Sequence, residues 1–370
     1  MNKYIQEVRR RSQTLLIVEG NHEKNDLFWL IFKCFPELNI DMENVWIYGT
    51  NIYQLYDDIE KEYGENWDEE DVDIDLPYVV SRKKTPDNLR YQNDFTNIIL
   101  VFDYERHDTF FSERKIVMMQ NRFSDMTDMG KLYINYPMIE SYQHLKTIPD
   151  ADYKDRKIPV LLQPGKRYKE LVRKESVIQT HVYFPHKLDD LLDKHFQITD
   201  RGMRQACCED ILNFSDGQHM DESLDQVLQN IPEDSRKKTL KFQLKHWIDR
   251  ANYANEGKTY WQYMRDLFVK IIYYNICKAS NIQKGVYLIK SEQYRESFES
   301  LDPGIILDKQ NKLSNTDAGY IWVLNTSVFI VAEYNFSLVE KFGITATGDD
   351  LQRQGRNSCE GDGRCEDALA

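Results

Sequence analysis

Leu15-Leu16-Ile17-Val18-Glu19-Gly20 decides the reading of this 370-residue chain. Leu15 to Val18 are apolar, and Ile17 and Val18 are β-branched. That is the pattern of a short strand buried on both faces, as in a parallel sheet. The run stops at a carboxylate and a glycine, and Gly20 permits a tight turn. Asn21 to Asp26 follow, and the apolar-rich Leu27-Phe28-Trp29-Leu30-Ile31-Phe32 opens a helix that Pro36 ends. Glu19 therefore stands where a strand passes into a helix, and at that edge of an open α/β sheet ligands bind.

The same pattern returns downstream. Asn97-Ile98-Ile99-Leu100-Val101-Phe102 is a second buried strand, and it delivers Asp103-Tyr104-Glu105-Arg106-His107-Asp108 at its C-terminal end. Between the two, Val45 to Tyr48 reads as a strand, and Ile52, Leu55, Tyr56 and Ile59 recur at helical spacing. The acidic stretch 57–75 reads as a solvated helix end plus loop, and 77–94 as a polar connection carrying Arg82-Lys83-Lys84. A helix over 110–123, a strand over 131–136 and a short helix from Met138 to Tyr142, just after Pro137, complete the alternation. Strand and helix alternating over 14–145 predict an α/β domain with a mostly parallel sheet and flanking helices, assigned to 1–150.

Beyond that point the pattern changes. Residues 151–342 are expected to form a mainly helical C-terminal region, clearest over 239–279 with Leu240, Leu244, Trp247, Ile248, Tyr260, Leu267 and Ile271. The aromatic residues of 247–274 read as core rather than as a platform for stacking bases. Residues 321–331 fit a strand pair or one buried helix. Residues 1–13 read as a lead-in, and 343–370, rich in Gly, Asp, Arg and Ser, as a disordered tail.

A net charge of −13 argues against a protein that coats nucleic acid generally, but not against one that holds phosphate through metal ions and a local basic patch. Cys34, Cys207, Cys208, Cys277, Cys359 and Cys365 lack zinc spacing and read as reduced thiols. With no membrane-length apolar run and no signal-type segment, the expected place is the cytoplasm, with no membrane partner.

Glu19, Asp103 and Glu105 end two strands expected to lie close in one sheet. Carboxylates converging there repel one another unless a divalent cation neutralises them. An all-oxygen set suits Mg²⁺ or Mn²⁺, which favour phosphoryl transfer. Glu140, just after a further strand, fits either another ligand or a general acid/base.

Val18-Glu19-Gly20 with Glu23, followed by a hydrophobic strand ending in Asp103-Tyr104-Glu105, resembles the Toprim domain of topoisomerases, bacterial primases, RecR-type recombination proteins and OLD-type nucleases. The resemblance covers about residues 14–145. It implies that Glu19 is the catalytic acid/base or a metal ligand, and that Asp103 and Glu105 form the metal-binding pair. The second acid is Glu105 where the family has Asp, and the family's following glycine is absent. This turns the resemblance toward the nuclease branch, whose later acidic residue Ile139-Glu140-Ser141 resembles. A Toprim domain with a helical C-terminal part is similar to PARIS-type anti-phage effectors. That similarity implies a nuclease acting on DNA or tRNA beside a separate ABC-class ATPase, since this chain has no phosphate-binding GxxxxGK[ST] motif. The alternative is a degenerate Toprim module that binds and regulates an ATPase or nucleic-acid complex. Self-association stays open.

Around these residues, Glu23 and Asp108 are candidates for outer support, and His22 and His107 for hydrogen-bonding neighbours. Lys83, Lys84, Lys166 and Arg167 are candidates for phosphate contact.

Overall fold

A computed structural model describes residues 13–162, 164–229, 235–251, 253–287, 290–316 and 319–340. The expectations for the lead-in before residue 13 and for the 343–370 tail, with Cys359 and Cys365, lie outside the described residues. The chain divides into two compact units that interleave. One holds the residues up to Gly20, Glu43–Ser176 and those from Val269 onward; the other holds Asn21–Met42 and Val177–Phe268. This differs from the sequential division at 150 expected above. Local patterning reports which residues are buried and not which distant segment buries them, so an interleaved arrangement is invisible to it.

The first unit is built on a mostly parallel sheet. Strand β1 (Thr14–Val18) pairs in parallel with β2 (Val45–Ile47) on one side and β3 (Asn97–Asp103) on the other. β4 (Ser124–Asp125) precedes β5 (Gly130–Tyr136), which runs parallel to β3. β6 (Lys157–Pro159) and β7 (Tyr320–Trp322) form a separate antiparallel pair, and β8 (Leu324–Asn325) joins the main sheet. The order is β2-β1-β3-β5-β4, with β8 antiparallel to the C-terminal end of β5. Leu15 to Val18 and Ile99 to Phe102 are wholly buried, as the unbroken apolar runs require. The α/β class expected from the sequence, with a mostly parallel sheet, flanking helices and a helical C-terminal region, is the architecture found.

Helices Ile52–Tyr63, Leu76–Lys84 and Glu113–Arg122 connect the strands. Leu76–Lys84 corrects the expectation of a polar connection over 77–94. Asp75 caps it, accepting from the Tyr78 amide at 2.9 Å, and Pro77 sits in the first turn, where its missing N–H costs nothing. Pro77 is thus a starter of the helix rather than a breaker. Within the acidic stretch, Trp67 is fully buried beside Tyr56 and Phe123, so that segment is anchored as well as solvated. Residues 321–331 contain strand residues that pair with two different partners, followed by helix Phe329–Tyr334.

The second unit is helical. Its main helices include Trp29–Cys34, Phe184–Asp190, Arg201–Leu212, Met220–Val227, Ser235–Ala251 and the first turns of Tyr260–Lys284. Phe184, Tyr253 and Tyr260 pack with ring centroids 5.6 to 5.9 Å apart, so these two tyrosines are core, as read from their spacing. No helix among the described residues is long and apolar enough to cross a membrane.

Candidate metal centre

From β1 the chain crosses to β2 on one side, and from β2 it returns to β3 on the other. The carboxyl ends of β1 and β3 therefore flank a topological switch point, where open α/β sheets form their ligand crevice. The parallel register sets Val18 beside Val101. Glu19 then donates its amide to the Val101 carbonyl at 3.2 Å, and its Oε2 accepts from the Asp103 amide at 3.2 Å. The Glu19 side chain thus leans across onto β3.

One oxygen each from Glu19, Asp103 and Glu105 lie within 4.8 Å of one another. Asp103 is buried, and the two glutamates are half-buried. The three residues singled out in the sequence are brought together. An all-carboxylate set fits a hard divalent cation with water in its remaining positions.

The backbone at Glu105 is left-handed, with φ of 36°. Its amide still donates to the Pro137 carbonyl at 3.3 Å, and its own carbonyl accepts from Asp108 at 2.8 Å. The strand therefore turns sharply at a residue with a full side chain, which costs about 1–2 kcal/mol relative to glycine.

Tyr53 donates its hydroxyl to the Tyr104 carbonyl at 2.9 Å, fixing the backbone between Asp103 and Glu105. Burial holds that hydroxyl well above the ordinary tyrosine range, and Tyr104, Glu105, Asp108 and Glu19 push the same way. It therefore stays a protonated donor. Asn135, opposite Asp103 on β5 and fully buried, offers Nδ2 to Asp103 Oδ1 at 3.4 Å. Its Oδ1 lies 3.0 Å from Ser327 Oγ, which lies 2.7 Å from Asn325 Oδ1. Asn325 in turn donates to the Ile139 carbonyl at 3.0 Å and to Ser141 Oγ at 3.2 Å, fixing the turn that carries Glu140. Tyr53, Asn135 and Asn325 were not found from the sequence; the buried asparagine inside the apolar run of β5 was the available signal.

Glu140 lies at this same sheet edge, on the turn Ile139–Gln143, but outside the group of three carboxylates. It is buried, and Lys169 Nζ meets its Oε1 at 3.0 Å, while its buried Oε2 has no hydrogen-bond partner among the described residues. Burial holds the Tyr168 hydroxyl high, and Tyr153, Glu140 and Asp103 add to that.

The surrounding candidates separate clearly. Asp108 accepts from Asn51 Nδ2 at 2.9 Å and from the Phe110 amide at 2.7 Å, which makes it a loop brace. Glu23 is buried in the helical unit, and His22 there binds Asp26 at 2.8 Å. His107 Nε2 is buried without a partner among the described residues, and burial followed by Arg106 lowers its pKa, so it is neutral at neutral pH. Lys83 is engaged by Asp58 at 2.7 Å and lies over the Tyr48 ring. Lys84 differs: it makes no ion pair among the described residues, and a β-carbon added to Gly49 would stand 2.9 Å from its Nζ. Gly49, at φ of 89°, donates to the Glu19 carbonyl at 2.8 Å, so Lys84 sits against the backbone beside the centre. Lys166 and Arg167 are exposed on the turn Pro164–Tyr168.

Comparison of the chain with protein-family models, with curated proteins and with solved structures returns no match.

Proposed function

We propose that the chain is a Toprim-like, metal-dependent nuclease that hydrolyses phosphodiester bonds in DNA or tRNA. The observation that carries the reading is the convergence of Glu19, Asp103 and Glu105 within 4.8 Å at the switch point of a parallel sheet. These residues would hold Mg²⁺ or Mn²⁺. Bound there, the cation supplies Lewis-acid stabilisation of charge on the phosphate oxygens.

The protein's own groups supply the rest. Lys169 fixes Glu140 through one oxygen, and the unpartnered Oε2 is available to take a proton from the attacking water. Lys84 offers a positive charge to a phosphate at the rim. Tyr53 and Asn135 hold the carboxylates in place, so less reorganisation is needed when substrate binds. In this reading the chain is a defence effector whose ATPase is a separate ABC-class protein. The degenerate-module alternative rested on the altered second acid; the Glu105 carboxylate stands with the other two, which favours the enzyme.

The test is cleavage of plasmid DNA and of total tRNA by purified protein with Mg²⁺ or Mn²⁺, alongside Glu19→Ala and Asp103→Ala. Cleavage by the parent chain that both substitutions abolish is expected. Cleavage that survives both would sink the assignment. If the chain alone cuts nothing, the assay is repeated with the product of the neighbouring gene, the ATPase partner this reading calls for, and continued inactivity refutes the enzyme reading.

A further inference from the structure

The helical unit carries a groove that the metal centre does not use. Its volume is about 740 Å³, within the range of small-molecule sites. Trp29 and Trp261 meet in it edge to face with centroids 5.7 Å apart, and His186 lies 5.5 Å from Trp29 at a tilt of 36°. Both tryptophans are half-buried and His186 is exposed, so the aromatic cluster is partly open to solvent. Trp261 therefore departs from the core reading that its neighbours Tyr253 and Tyr260 satisfy.

Cations surround the rings. Lys33 and Arg201 line the groove, are exposed, and make no ion pair among the described residues. Arg204 is already matched to Asp189 at 3.0 Å and Asp193 at 3.2 Å, and His186 reaches Asp26 at 3.6 Å. Glu209 is the remaining acid on the lining. Lys33 and Arg201 are thus cations with no ion-pair partner among the described residues, on a lining that also carries Asp189 and Glu209. Partly exposed rings beside unpaired cations match a nucleobase and its phosphate. We infer that this groove binds single-stranded nucleic acid, with bases stacked on Trp29 and Trp261 and phosphates held by Lys33 and Arg201. The choice of a strand over a free nucleotide rests on the nuclease reading.

The test uses the full chain carrying Glu19→Gln, with EDTA present, and the anisotropy of fluorescein-labelled oligo(dT) and oligo(U). Lys33→Gln with Arg201→Gln is expected to weaken binding about ten-fold or more and to flatten the salt dependence. Two phosphate contacts on a single strand account for about 1.4 of the log–log slope. Trp29→Ala is expected to weaken binding about 5- to 100-fold, with recovery in Trp29→Phe. Thermal melts establish that each variant is folded; Lys33 and Arg201, being exposed, serve if Trp29→Ala is not. No binding by the parent, or unchanged affinity and slope in the double variant, overturns the inference. So does mononucleotide binding as tight as the strand. The metal centre takes no part in this measurement. Strand binding without cleavage by the unmodified chain, alone and with its ATPase partner, would retire the nuclease reading and leave the groove, whereas cleavage with unchanged affinity in the variants would do the reverse.

Discussion

Replacing Asp103 with asparagine should make the metal-free protein more stable. The three carboxylates offer oxygens within 4.8 Å of one another, and Asp103 is 3 % exposed. At an effective dielectric constant of about 20, two unit charges at that separation repel by about 3.5 kcal/mol. Asp103 faces two such neighbours, so the gross relief is about 7 kcal/mol. Charge screening and side-chain adjustment reduce this to a net gain of about 1–3 kcal/mol, the scale of other single-residue effects. Asparagine keeps the shape and an oxygen for Asn135 Nδ2, so no cavity opens. For a unit of 150–250 residues the gain corresponds to a rise in Tm of about 2–12 °C. Mg²⁺ at about one hundred times its Kd should stabilise the parent by about 2.7 kcal/mol. It should stabilise Asp103→Asn far less. Thermal unfolding in EDTA and in Mg²⁺ checks both arms, and the two proteins should approach or exchange their order of stability between the two buffers. A variant less stable than its parent in EDTA, with an undiminished Mg²⁺ shift, would refute the reasoning.

Three further outcomes can be measured. Glu105→Gly should be more stable than Glu105→Ala by about 1 kcal/mol, because only glycine is at ease at φ of 36°; equal urea midpoints would show that no strain is stored there. Asn325→Leu should cost about 1–3 kcal/mol in urea unfolding and lower cleavage, because it strips the Ile139 carbonyl of a donor beside Glu140; a neutral result would remove Asn325 from the support of the site. Lys278 is fully buried and donates to the Tyr153 and Arg156 carbonyls, and burial, followed by Arg156, brings its pKa down to about 6. Its unfolded value is about 10.4, so between about 6 and 10 unfolding takes up a proton and stability rises with pH, by up to about 1.4 kcal/mol per unit. Lys278→Met should remove that slope, and an identical slope in the variant would refute the assignment.

The centre was legible because hydrophobic strands with terminal carboxylates carry their own address. Leu15–Val18 and Ile98–Phe102 can only be interior strands, and parallel pairing sends Glu19 and Asp103 to the same edge. What supports the centre was not legible, since hydrogen bonding between distant residues leaves no local period. Glu140 and Lys169 are far apart in the chain, as are Asn135 and Ser327. Helix Leu76–Lys84 was hidden because a proline in a first turn looks like one that ends a helix. β7 and β8 are too short to show alternation, and each pairs with a strand far back in the chain.

Several departures from ordinary stability rules stand together at the carboxyl edge of the sheet. The interiors of β1 and β3 follow those rules, with apolar runs over Leu15–Val18 and Ile98–Phe102 and paired backbones. At the carboxyl edge stand a left-handed Glu105, three crowded carboxylates and a buried Glu140 oxygen with no partner among the described residues. Each runs against folding by about 1 kcal/mol or more. Glycine at 105 would remove the strain and one of the charges at once. A sequence that instead keeps an acid there holds oxygen atoms at a fixed spacing at the expense of stability. A divalent cation relieves the crowding, whereas a proton relieves it only by giving up the ligand. The same residues that weaken the empty fold are thus those whose removal should abolish its response to Mg²⁺, which is why stability in EDTA and stability in Mg²⁺ must be measured on the same variants.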